Sequence, residues 1–161
     1  VLVSAGLVDT EYFTEEGRLR GQYVAQATAY ADAGELDRDS VDPVLMPYLL
    51  AWSAFIADSG IEIKTIEQKL FNPIGYCGSS DRTGVMPYVG DVVIDTKLGG
   101  QYEWHAIQLA AYAACLGAQF RRVNVILKPD ATYTIKVHET PQARDFDVFR
   151  AALCLHNWRN K

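Results

Sequence analysis

The sequence predicts an α/β fold, a central mixed β-sheet flanked by helices, in the order α-α-β-β-β-α-β-β-α. Three observations carry this. The first third of the chain shows apolar residues at helical spacing. The middle switches to runs rich in Val, Ile, Thr and Tyr, bounded by glycine- and proline-containing turns. A further helical stretch, over 102–116, then separates two strand groups, which fits a sheet flanked by helices.

The elements follow in order. Thr14-Glu15-Glu16 precedes a helix from about Arg18 to Ala33, with Leu19, Tyr23, Ala27 and Tyr30 on one face and Arg18, Gln22, Ala25 and Ala29 on the other. Gly34 ends it, as a residue free to adopt positive φ. "DRDSVDP" is a loop into a second helix, Val44 to Ala57, whose core residues are Leu49, Trp52 and Phe55; "DSG" stops it. Alternation from Ile61 to Gln68 predicts a strand. "FNPIG" reads as a turn, residues 76–82 as a second strand, and "TGVMPYVGD" as a loose connection. "VVIDTK", residues 92–97, is a core strand, closed by "LGG". A helix from Tyr102 to Leu116 ends at Gly117. "RRVNVILK" and "TYTIKVH" form a strand pair across Pro129-Asp130. A last helix from Pro141 carries Phe146, Phe149 and Leu153.

Composition sets limits. A chain of 161 residues, 49% hydrophobic and 22% charged, fits one domain spanning 1–161 with a single substantial core. No apolar run is long enough to cross a bilayer, and no leader is recognisable, so a cytoplasmic location is expected. Cys77, Cys115 and Cys154 are odd in number and far apart, which predicts reduced core thiols rather than disulfides or a thiolate metal site. The net charge of −5 is uneven: residues 121–161 hold eight Lys/Arg against four Asp/Glu, and residues 1–120 hold seven against sixteen. An acidic half that holds a cation beside a basic tail that meets phosphate is one reading; a solvated basic face is the other.

The chemistry concentrates in "VVIDTK". Strand alternation puts Val93, Asp95 and Lys97 on one face and Val92, Ile94 and Thr96 on the other. Charges at the end of a core strand need partners. If the preceding strand pairs as a hairpin, Asp81 approaches Asp95, and Glu67 is a third carboxylate from the strand before. Two carboxylates about 4 Å apart repel by roughly 4 kcal/mol at an effective dielectric of about 20. A shared proton or a divalent cation relieves this, and Mg²⁺ takes such oxygen ligands. The bland alternative is a strand-end Asp95–Lys97 ion pair with Asp81 in a turn. On the next helix, His105, Gln108 and Tyr112 fall within roughly 60° of one another. That polar stripe is either a set of satisfied core hydrogen bonds, the better reading for His105, or part of a site.

The pieces "GYCGSSDRTG", "VVIDTKLGG" and "HAIQLAAYA" together resemble the PD-(D/E)XK nuclease superfamily, in its RecB-like exonuclease branch. Gly78-Ser79-Ser80-Asp81, Asp95-Thr96-Lys97 and Gln108 with Tyr112 match its motifs in order, over about residues 67–113. The resemblance implies a restriction-endonuclease-like core. It implies Mg²⁺ or Mn²⁺ on Asp81, Asp95 and the backbone carbonyl of Thr96, with Glu67 as an upstream acid. Lys97 would position or activate water, and Gln108, Tyr112, Arg82 and His105 would line the site or the DNA channel. The implied activity is metal-dependent DNA phosphodiester hydrolysis, as an exonuclease in bacterial or phage recombination and repair. DNA is the implied partner, without a membrane, with a homo-oligomer or a recombination protein as a further one. Arg121, Arg122, Lys128 and Lys136 are candidate backbone contacts or solvated charges. One departure is Ala25 in "RGQYVAQA", where relatives often carry a metal-binding histidine. It raises an alternative, a DNA-binding or assembly module that keeps the fold and cleaves poorly. A small-molecule phosphodiesterase is a third reading.

Overall fold

The computed structural model describes residues 1–10, 13–139 and 141–160. Its elements are α1 (Glu15–Ala33), α2 (Met46–Ser59), β1 (Glu62–Asn72), β2 (Tyr76–Met86), β3 (Gly90–Leu98), α3 (Trp104–Leu116), β4 (Arg121–Leu127), β5 (Tyr133–His138) and α4 (Gln142–Arg159). They form a five-stranded mixed sheet in sequential order, β1-β2-β3-β4-β5. Only β3 and β4 run parallel, with α3 as the crossover; every other neighbour is antiparallel. No helix among the described residues is long and apolar enough to cross a membrane.

The two faces of the sheet carry different helices. Val92 and Ile94 of β3 and Val123, Val125 and Leu127 of β4 pack against Val24 of α1 and against Ala51, Trp52 and Phe55 of α2. On the other face, Val93 meets Leu109 and Ala113 of α3, while Tyr76 and Ala111 meet Phe149 and Leu153 of α4. The β3 and β4 runs are apolar without alternation because both of their faces are covered.

Several element boundaries differ from the sequence reading. Helix α1 begins three residues earlier, at Glu15, because Thr14 caps it by accepting a hydrogen bond from Gly17 N at 3.0 Å. Its core face is Val24, Ala27 and Thr28; Tyr23 and Tyr30 are exposed. Of the stripe picked out by spacing, Ala27 is buried and Leu19 half-buried, while the two tyrosines face outward. Phe71 and Asn72 belong to β1, and "TGVM" belongs to β2, so both supposed connections shorten to tight hairpin turns. Long antiparallel ladders overrode the turn-forming residues there. Cys77 and Cys154 are exposed and only Cys115 is partly buried, which corrects the expectation of core thiols; all three are free.

Candidate functional site

The site begins where the β2–β3 ladder ends. The last paired residues are Arg82 and Ile94, so the next register position sets Asp81 against Asp95. No ladder bond forms there. Instead Asp81 reaches across the opening fork, and its Oδ2 accepts from Thr96 N at 2.7 Å and from Thr96 Oγ1 at 2.5 Å. A carboxylate thus occupies the place of a missing backbone acceptor. Asp81 was expected near a strand end; it lies within β2, but at the end of its pairing with β3.

Asp95 is almost completely buried, 4% exposed. Its Oδ2 accepts from Lys97 Nζ at 2.8 Å and from Asn124 Nδ2 at 2.9 Å. Asn124 comes from the parallel neighbour β4, in register with Asp95, and its amide also donates to Asp95 O at 3.0 Å. Because that amide nitrogen faces Asp95, Asn124 Oδ1 faces His138 Nε2, 2.7 Å away, and the imidazole must donate there. Burial pushes the His138 pKa down to about 4, with Arg122 and Lys136 acting in the same direction, so a neutral ring carries that proton. Burial also raises Asp95 to about 6 against the pull of Lys97, with Asp81 adding to the rise.

Lys97 is held from three sides. Besides Asp95, it donates to Gln108 Oε1 at 3.0 Å, and its ammonium lies 5.2 Å from the centroid of the Trp104 ring. Gln108 Nε2 donates in turn to Tyr112 OH at 3.1 Å. The Tyr112 ring lies on Gly78, where a Cβ would meet Tyr112 Cε1 at 2.8 Å. The residues of the three sequence pieces therefore form one contiguous chain of contacts: Asp81–Thr96, Asp95–Lys97–Gln108–Tyr112, and Gly78 beneath the tyrosine.

The remaining predicted residues lie outside this chain of contacts, with Glu67 beside Asp81. Glu67 falls between the Ile66–Arg82 and Gln68–Ser80 pairs, opposite Asp81, in a positive-φ conformation (51°). Its side chain is 46% exposed and lies 3.7 Å from Arg82 Nη1. Burial and then Asp81 raise its pKa. Arg82 is not on the open side of the site. It is 1% exposed, with Nε donating to Asp32 Oδ2 of α1 at 2.6 Å and the guanidinium 5.4 Å from the Trp52 ring centroid. His105 is buried between Tyr102 and Trp104, as a core histidine would be, and Nδ1 accepts from Tyr102 N at 3.4 Å. Its pKa falls to about 4 through burial, then Lys97 and His138. Arg122 is likewise internal, donating to Asp145 Oδ2 at 2.6 Å and to Ala106 O at 2.9 Å. Sequence reasoning missed Asn124 and His138. The signal was present: Asn124 interrupts the apolar run "VNVIL" of a doubly covered strand, where an unsatisfied amide would be costly.

Among the described residues, no group of three or more His, Cys, Asp or Glu side chains gathers closely enough to hold a metal ion. Asp81 and Asp95 face one another across the fork, near enough for Asp81 to raise the Asp95 pKa, and the second oxygen of each accepts no hydrogen bond from the described residues. That donor set fits a hard divalent cation that keeps several waters, as Mg²⁺ does. It does not fit a closed cage of protein ligands.

No family model matches the sequence, and no curated protein matches it. Among solved structures, the chain is similar to "Crystal structure of SSO0001", at 15% identity and a TM-score of 0.41, over 86% of this chain and 71% of that one. A likeness of that degree carries no argument.

Proposed function

We propose that this chain is a metal-dependent deoxyribonuclease of the PD-(D/E)XK superfamily, RecB-like branch, with a restriction-endonuclease-like core. The observation that carries the reading is the convergence of Asp81 and Asp95 at one strand fork with the Lys97 ammonium 2.8 Å from Asp95 Oδ2. Mg²⁺ or Mn²⁺ is the proposed cofactor, with Asp81, Asp95 and the Thr96 carbonyl as its proposed ligands. When bound, it supplies Lewis-acid polarisation of the phosphate and of water. Thr96 fixes Asp81, and Asn124 fixes Asp95. Lys97, aimed by Gln108 and Trp104, orients water and stabilises charge on the phosphoryl oxygens. DNA from bacterial or phage recombination and repair, in the cytoplasm, is the proposed substrate.

Two observations favour a second reading, a DNA-binding or assembly module with little cleavage: Ala25 stands where relatives place a histidine, and among the described residues no third His, Cys, Asp or Glu gathers with the carboxylate pair. Digestion of linear DNA in Mn²⁺, with and without EDTA, separates the two. Cleavage that EDTA abolishes and that Lys97→Ala or Asp95→Asn lowers about 10²-fold or more supports the enzyme. DNA binding with no cleavage supports the module, and cleavage by Ala25→His alone would identify the missing ligand as its cause. Cleavage indifferent to Lys97 and Asp95 removes the site from the mechanism.

A further inference from the structure

A cleft of about 590 Å³ opens against Lys97, between the start of α1 and the Gly99–Trp104 segment. Two features distinguish it from an ordinary surface hollow. The first is aromatic exposure: Phe13 and Tyr102 are 53% and 51% exposed, although burial of either ring would be favourable. The Tyr102 and Trp104 rings lie nearly parallel, with an interplanar angle of 13° and centroids 6.3 Å apart. Gly100 permits this placement, since a Cβ there would come within 3.2 Å of Tyr102 OH.

The second feature is charge. Arg18, Arg20 and Lys97 line the cleft, and each also has a carboxylate partner, Glu15, Glu16 and Asp95 respectively. Arg18 pairs with Glu15 and Arg20 with Glu16 in exposed i,i+3 and i,i+4 geometry. Such pairs contribute little and exchange readily for a phosphate.

We infer that this cleft is a single-stranded DNA cradle, in which bases stack on Tyr102, Trp104 and Phe13 while Arg18 and Arg20 hold the backbone leading to Lys97. Aromatic faces recognise bases only when those bases are unstacked, and a duplex keeps its base faces inside. Exposed rings beside two surface arginines, whose exposed ion pairs a phosphate can replace, therefore select a single strand or a frayed end. This deepens the proposed nuclease reading by naming its substrate class, and it rests on that reading only for the direction in which the strand is delivered.

The test is fluorescence anisotropy in EDTA with a labelled oligothymidylate and a blunt duplex of equal length. The single strand should bind at least about tenfold more tightly. Tyr102→Ala should weaken oligothymidylate binding by roughly 5- to 100-fold and duplex binding by less than about twofold. Tyr102→Trp should retain single-strand binding. Tyr102 lies outside α3, and its contact to His105 Nδ1 uses the backbone N–H, so the alanine variant keeps that bond. Phe13→Ala, on the opposite wall, is an independent second variant. Equal affinity for both DNAs, unchanged binding in both variants, or no DNA binding at all overturns the cradle. If the cradle fails while Lys97-dependent cleavage persists, the nuclease reading stands alone. If aromatic-dependent single-strand binding appears without metal-dependent cleavage, the cradle stands and the nuclease reading falls.

Discussion

Asp95 sits in an environment that resists its charge. Burial lifts its pKa from 3.8 to about 6, and the adjacent ammonium offsets only part of that. The folded state therefore binds a proton more tightly than the unfolded chain does. Below about pH 4 both states are protonated and this carboxyl contributes no pH-dependent difference. Between about pH 4 and 6 the unfolded chain ionises first, and stability falls as pH rises. Above pH 6 the full difference, on the order of 3 kcal/mol for about two pH units, is present. In EDTA, the stability of the wild type relative to Asp95→Asn should thus decline from pH 4 to 7. Urea unfolding of both proteins across that range checks it, and a pH-independent difference would contradict the account. A cation on the carboxylate would reverse the disadvantage. The residue types at this site were legible in the sequence, because Asp-x-Lys in a core strand demands partners. Asn124 and His138 were not assigned, since Asn124 reaches Asp95 through the parallel β3–β4 register and His138 reaches Asn124 through the antiparallel β4–β5 pairing.

At the scale of elements, the fork between β2 and β3 and the helix α3 act as one unit. The only side chain that fits beneath Tyr112 at position 78 is hydrogen, given the 2.8 Å that a Cβ would have to Cε1. Gly78→Ala should therefore displace the ring, and with it Gln108 and the aim of Lys97. A cost of about 1–3 kcal/mol is expected from the overpacking. In a Tyr112→Ala background the cost of Gly78→Ala should largely vanish, because the clash is then gone. A double-mutant cycle read by urea denaturation checks this; additive effects would show that the two residues are not coupled. The glycine and the tyrosine were visible as sequence pieces, yet their contact was not, because 34 positions separate them and only the packing of α3 on β2 brings them together.

Across the whole molecule, the α1–α2 layer is tied to the sheet by one buried ionic cluster. Asp32 of α1 accepts from Arg82 Nε at 2.6 Å and from Trp52 Nε1 of α2 at 2.9 Å, while Thr28 Oγ1 accepts from Arg82 Nη2 at 3.4 Å. Removing Asp32 leaves the buried guanidinium with the half-exposed Glu67, 3.7 Å away, in place of its close buried partner. Asp32→Ala should destabilise the fold by about 3–5 kcal/mol, measured by equilibrium unfolding. A change below 1 kcal/mol would show that water reaches the guanidinium. Arg82 follows directly after Asp81 in the chain, and proximity in sequence suggested a shared role. In the fold the two residues divide their work: one opens toward the site and the other locks the opposite layer.

The amino-acid sequence by itself determined the order of helices and strands, the mixed layered architecture, and the strand-end acid and lysine. These are local consequences of periodicity, turn chemistry and the cost of burying charge. The tertiary structure alone decided which face of α1 is buried, where β2 parts from β3, and which neutral side chains hold Asp95. Those outcomes depend on cross-strand register and on layer packing, which join residues far apart in the chain and leave no periodic trace within any one segment.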